Sequence, residues 1–313
     1  MNLFHCPSTW VFVDDEERFI ESIGEIVPEN QPARFFTNPY EAKDYVLTNS
    51  FNEGSMGASY QGLELAKLQE ATLTPDRFAP ASVIIADYAM PGMDGLALFE
   101  ELSGTHCGKV LLTGVATEET ALAAFNRGFF DRFIKKGDAN ALTKILDYAE
   151  CLDEQISTDK QRLISLPEDS HYVVNSKNFI HAFDELLVQY GIVEYYYCED
   201  PLGFLCINPT GDCYFVVVAT ESVLERRMPM ALSTCPQHIA NMVANRRALT
   251  ELFEQSDEYD NDYDWKFNTV ELEKVVDEKI WFGIHMDPPC DIDYASARLS
   301  LSAFLGGAQL ERA

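Results

Sequence analysis

Val83-Ile84-Ile85-Ala86-Asp87-Tyr88-Ala89-Met90-Pro91-Gly92-Met93-Asp94-Gly95 is an apolar run that ends on a carboxylate and passes into a turn rich in Pro and Gly. A short apolar run bounded by turn residues suits a strand buried on both faces of a parallel sheet. Three further apolar runs close on reactive groups: Trp10-Val11-Phe12-Val13 on Asp14 and Asp15, Leu111-Leu112 on Thr113, and Phe133-Ile134 on Lys135 and Lys136. Helical patterns alternate with these runs, which predicts an α/β unit with a doubly wound, parallel five-stranded sheet. The carboxyl ends of such strands share one edge, so groups distant in sequence converge in one crevice.

Three carboxylates brought together repel one another. A hard divalent cation with oxygen ligands relieves that repulsion, and Mg²⁺, which keeps several of its waters, is the expected ion. A carboxylate beside Mg²⁺ can take up a phosphoryl group. Taken singly, an Asp at a strand end is more often a helix cap or a turn former. The signal here is the joint order of Asp14-Asp15, Asp87-x-x-Met90-Pro91-Gly92-Met93-Asp94-Gly95, Thr113 and Lys136, all at strand ends.

Over residues 8–150 this order resembles the receiver domain of two-component response regulators, with its flavodoxin-like fold. The resemblance implies that Asp87 is the phosphoacceptor, that Asp15 binds Mg²⁺ directly and that Asp14 assists through water. It adds the backbone carbonyl of Ala89 as another ligand, and Thr113 and Lys136 as holders of the phosphoryl oxygens. It also makes Phe133 the aromatic switch residue; lacking a phenol, that ring switches by packing. One departure is Gly137, where the family usually has a cis Pro after the lysine. A cis bond to a non-proline residue costs about 2.5–4 kcal/mol, so a trans path is expected after Lys136.

The chain has 313 residues, enough for two cores, and a formal charge of −28. Residues 1–150 carry 23 acidic and 11 basic side chains, and the remainder carries 28 and 12. A nucleic-acid output needs a basic face to displace counterions, so DNA is not expected as a partner. The pairs Arg226-Arg227 and Arg246-Arg247 read as solvated helix surface. No apolar run approaches the roughly 18 residues of a membrane span. The first residues lack the basic and apolar regions of a secretory signal, so a bacterial cytoplasm is expected. The eight cysteines show no Cys-x-x-Cys pair and read as buried hydrophobes.

The expected organisation is a receiver over 1–150, a helical linker over 151–166 and a smaller α+β domain with an antiparallel sheet over 167–313. An insertion at 49–80 interrupts the receiver, where compact connections use roughly 2–6 residues. It contains a loop and a short helix near Tyr60 to Ala71. Topology puts it opposite the acid crevice; a docking surface and idle elaboration both remain open. From Ala139 the last receiver helix continues with Leu142, Ala149, Ile156 and Leu163 seven apart, joined by Ile145, Leu152 and Leu166. That seam is compatible with a coiled-coil homodimer and equally with an ordinary amphipathic helix.

In the second domain a helix is expected over 176–190, followed by strands over 192–198, 204–207 and 214–220. A helix over 238–254, a strand over 279–286 and a helix over 292–305 complete it. The Gly191 to Leu205 region weakly resembles C-terminal modules of bacterial regulators that have no assigned activity. Asp260, Asp262, Asp264 and Glu271 mimic a calcium loop, but Trp265 occupies the place that demands Gly. His285, Asp287, Cys290, Asp291 and Asp293 lack metal-ligand spacing. The expected function is a response regulator. It takes a phosphoryl group from a sensor histidine kinase or phosphotransfer protein and signals through a protein- or effector-binding output. Alternatives are an output enzyme of unfamiliar type and, less favoured, a DNA-binding regulator.

Overall fold

The computed structural model describes residues 1–50, 72–114, 128–161, 168–199, 202–234, 237–245, 248–250, 269–274, 280–285 and 299–310. The chain divides into two compact units, one holding Pro7–Ser59 and Asp76–Leu163, the other holding Met1–Cys6 and Ile164–Ala313. Residues 72–75 group with the second of these. The opening six residues, expected with the receiver, therefore belong elsewhere: β1 (Phe4–His5) pairs within the second unit.

The other unit begins with β2 (Thr9–Val13), α1 (Glu17–Gly24), β3 (Ala33–Phe36) and α2 (Pro39–Thr48). It continues with β4 (Ala81–Asp87), α3 (Gly95–Glu101), β5 (Gly108–Thr113), β6 (Arg132–Lys135) and α4 (Ala141–Gln161). All strand pairs are parallel, in the order β3-β2-β4-β5-β6. Alternation along each strand serves two cores. Val11, Val13, Ile84, Ala86 and Leu111 face Ala42, Val46, Leu98 and Phe99 of α2 and α3. Trp10, Phe12, Val83, Ile85 and Leu112 face Ile23, Ile145, Ala149 and Leu152 of α1 and α4. Helices on both faces explain why β2, β4 and β5 are buried along their whole length. They also reassign half of the heptad seam. Ile145, Ala149 and Leu152 are buried in the unit's own core, so they are not free to meet another chain; Leu163 and Leu166 lie outside the described residues.

The insertion's two ends meet at the start of β4. Ala81 N–H donates to the Asn49 carbonyl at 3.0 Å, and the Tyr45 hydroxyl donates to the Ala79 carbonyl at 2.9 Å. That is the amino edge of the sheet, opposite Asp87. The helix expected near Tyr60 to Ala71 lies outside the described residues.

The second unit has α5 (Glu168–Asn175), α6 (Lys177–Gln189), β7 (Glu194–Glu199), β8 (Leu202–Ile207) and β9 (Cys213–Thr220). After these come α7 (Glu221–Thr234), α8 (Gln237–Ala244), β10 (Ala248–Thr250), β11 (Thr269–Glu271), β12 (Glu273–Lys274), β13 (Ile280–His285) and α9 (Leu301–Leu310). Its main sheet has six strands in the order β1-β7-β8-β9-β13-β12, every neighbour antiparallel. Ser176 caps α6 by accepting from Phe179 N–H at 3.1 Å. The helix then lays Phe179 and Phe183 on the sheet, with ring centroids 6.0 and 4.6 Å from Phe204.

The helix expected over 238–254 stops at Ala244 instead. Asn245 turns its amide back to the Asn241 carbonyl at 2.7 Å, and Ala248–Thr250 pairs as a strand with β11. The calcium-like stretch lies outside the described residues apart from Glu271, which sits in β11.

Gly203 lets β8 and β9 close up. A Cβ there would meet the Val216 carbonyl and lie 2.8 Å from the Phe215 ring. Gly203→Ala is expected to destabilise the second unit by about 1–3 kcal/mol through overpacking, read as a lower urea midpoint with an unchanged slope.

Candidate functional site

Register brings the site together. Val13 is level with Ala86, Asp87 with Leu112, and Thr113 with Lys135. Asp14, Asp87, Thr113 and Lys136 therefore share the carboxyl edge of four adjacent strands. Asp14, Asp87 and Thr113 are buried, whereas Asp15 is exposed. One carboxylate oxygen from each of Asp14, Asp15 and Asp87 lies within 4.8 Å of the others.

Lys136 spans this acid cluster. Its ammonium is 2.6 Å from Asp14 Oδ2 and 2.8 Å from Asp87 Oδ1. Gly137 in place of Pro predicts an altered loop, yet the lysine reaches both acids. Its backbone N–H is bonded to the Thr113 carbonyl at 2.9 Å, which ties β6 to β5 just before the side chain departs. The second oxygen of each acid is held by backbone: Asp87 Oδ2 accepts from Ala89 N–H at 2.9 Å, and Asp14 Oδ1 accepts from Glu16 N–H at 3.0 Å. Thus Ala89, expected as a carbonyl donor to metal, presents its N–H to the acid.

The turn after Asp87 is fixed from several sides. Tyr88 N–H donates to the Leu112 carbonyl at 2.8 Å, Gly95 N–H to the Tyr88 carbonyl at 3.0 Å, and Asp94 caps α3 by accepting from Ala97 N–H at 2.8 Å. Gly95 is required because a Cβ there would strike the Asp87 carbonyl. Phe133 is half-buried, level with Leu111 in the ladder, and packs on the core beneath α2 and α3.

Burial pushes the Asp14 carboxyl above its ordinary range, against the opposing pull of Lys136 and the Glu16 N–H. Burial also works to lower the Lys136 ammonium, but its bonds to Asp14 and Asp87 outweigh this and hold it above the usual lysine range. Lys136 is therefore cationic at neutral pH. One ammonium against three carboxylates leaves two negative charges, and the donors are all hard oxygens. The cluster suits a small divalent cation such as Mg²⁺.

Sequence reasoning did not single out Phe19. The Lys136 ammonium stands 4.7 Å from its ring centroid. In the sequence Phe19 is only one more apolar position of α1; no local pattern announces a contact with a residue 117 positions later.

Residues 58–147 match the response regulator receiver domain family. That stretch is a response regulator receiver domain. The match takes in Asp87, Ala89, Thr113, Phe133 and Lys136 and begins after Asp14 and Asp15. Along its whole length the chain is similar to the response regulator LqsR of Legionella pneumophila, with a TM-score of 0.76 and 25% identity, covering 100% of this chain and 98% of that one. Over 80 residues it is 32% identical to the DNA-binding transcriptional regulator NtrC of Klebsiella pneumoniae. That stretch is 25% of this chain and spans 16% of the relative's length. No family matches the second unit. Among the described residues no helix is long and apolar enough to cross a membrane.

Replacing Lys136 by Met strands two buried carboxylates. The receiver should lose about 3–5 kcal/mol in metal-free solution, and millimolar Mg²⁺ should return part of that loss. Urea titrations with and without Mg²⁺ measure both. Equal losses in the two conditions would show that no cation takes the lysine's place.

Proposed function

We propose that Asp87 accepts a phosphoryl group from the phosphohistidine of a sensor kinase or phosphotransfer protein, and that the second unit relays the event by binding a protein or small effector. A receiver domain supports phosphorelay signalling; the observation that supports the finer reading is Asp14, Asp15 and Asp87 gathered within 4.8 Å under the ammonium of Lys136. In the transfer an Asp87 carboxylate oxygen attacks phosphorus, the P–N bond breaks, and the imidazole leaves with the electron pair. The Asp14, Asp15 and Asp87 carboxylates and the Ala89 carbonyl are the groups proposed to hold Mg²⁺, which would supply charge neutralisation at the transferring phosphoryl oxygens.

Lys136 and Thr113 then hold the phosphoryl oxygens. The Ala89 N–H, already on Asp87 Oδ2, keeps the acceptor carboxylate in one rotamer. A group carrying roughly −1.5 to −2 charge draws the Thr113 hydroxyl and the ammonium inward, and the Phe133 ring follows by repacking between its half-buried place and a deeper one. We place this chemistry in the cytoplasm.

The Klebsiella relative is by name DNA-binding, and that raises the same reading for this chain. The charge of −28 opposes it, because phosphate binding requires a basic face.

Incubation with phosphoramidate and Mg²⁺ should label one site, and Asp87→Asn should abolish the label. Chelation of Mg²⁺ should prevent labelling of the unaltered protein. Undiminished label on Asp87→Asn would overturn the assignment.

A further inference from the structure

Among the described residues the Lys136 ammonium touches groups of two kinds. Asp14 and Asp87 are charged and are the groups a divalent cation would engage; the Phe19 ring, 4.7 Å from the ammonium, is neutral and lies outside the acid cluster. We infer that Phe19 is a positioning residue of the phosphoryl site, whose π face keeps the Lys136 ammonium in the pocket while its anionic partners change. This rests on the reading of Asp87 as phosphoacceptor.

Consider what each state leaves to the lysine. Without metal the ammonium is shared by two carboxylates. When a cation engages Asp14, that partner is lost; when Asp87 carries a phosphoryl group, one of its oxygens is esterified. A four-carbon side chain with about four rotatable bonds gains entropy by swinging into water whenever a partner weakens. The ring attracts the cation through its quadrupole in every one of these states, and more strongly where water is excluded, as it largely is around a side chain only 18% exposed.

Phe19 is well placed for a constant role. It stands in the first turn of α1, immediately after the acid pair, and packs on the core with Ile23 and Ile134. Ile134 precedes Lys136 by two residues on β6. The same cluster therefore fixes both the ring and the strand that launches the lysine.

The ring is thus expected to act mainly on the lifetime of the phosphorylated state, since there the ammonium opposes loss of the phosphoryl group. Hydrolysis joins water oxygen to phosphorus, breaks the P–O bond to Asp87 and returns carboxylate plus inorganic phosphate. Phe19→Leu keeps apolar volume and removes the π face. It should bind Mg²⁺ within about twofold of the parent and lose the phosphoryl group about three- to tenfold faster. Phe19→Tyr, which retains a π face, should keep the parental lifetime.

A merely structural role is distinguished by a cycle with Lys136→Met: in that background Phe19→Leu should have no further effect on lifetime. A parental lifetime in Phe19→Leu, or an undiminished effect in the Lys136→Met background, would overturn the proposal. A second readout does not depend on phosphorylation. The Lys136 Cε protons should be shifted upfield by the ring current in NMR spectra of the full chain, and Phe19→Leu should abolish that shift. If the parent takes no phosphoryl group at Asp87, the phosphoacceptor reading fails by itself. The NMR shift then still decides whether the ring seats the ammonium, and its absence would overturn the proposal in any case.

Discussion

The ammonium of Lys136 between the carboxylates of Asp14 and Asp87 is the contact on which the receiver's arrangement turns. Two buried acids this close would otherwise repel across a poorly solvated gap, and the strands that end on them would be pushed apart. The sheet supplies the remedy through its order. With β6 joined to β5 and β5 to β4, a lysine one residue past β6 reaches acids at the ends of β4 and β2. The tight approach of Gly95 to the Asp87 carbonyl and the backbone caps on both acids then leave each carboxylate little freedom to turn away. The pocket is stiff in its anions and soft in its cation, which suits a site where cations exchange.

The second unit follows a different logic. Both faces of β7 and β8 are buried: Tyr197, Phe204 and Cys206 on the face under α6, and Tyr196, Leu205 and Ile207 on the other. Glu194 is buried with them, accepting from the Tyr196 hydroxyl at 2.8 Å. A carboxyl in such a place must have its hydrogen bonds made, so the strand is fixed by polar and apolar demands together. Among the described residues of this unit no group of three acids, histidines or cysteines gathers as in the acid pocket.

Much of the receiver was legible because its signals are local and coincide. Apolar runs ending on Asp14, Asp87, Thr113 and Lys136 fix strand position and edge at once, and the parallel sheet follows from their spacing. What stayed hidden was set by tertiary contact or by short length. β1 is two residues long and can show no period; α5 follows directly on the linker; Ala248–Thr250 continues the apolar phase of α8 and is a strand only because β11 lies beside it. The heptad spacing of α4 was real, but Ile145, Ala149 and Leu152 satisfy it against the sheet. Phe19 could not be found from sequence, since its contact is created by the fold.

The pairing of β1 with β7 has a consequence for biosynthesis. Phe4 lies opposite Tyr196, so this segment is made well before its partner, which follows nearly two hundred residues later in the chain. At translation rates of about 5–20 residues per second that delay is roughly 10–40 s, far longer than a small α/β domain needs to fold. The receiver can therefore complete itself while β1 of the second unit is still unpaired. Closure of the second sheet becomes the late step in maturation, the interval in which a chaperone would find this chain most receptive.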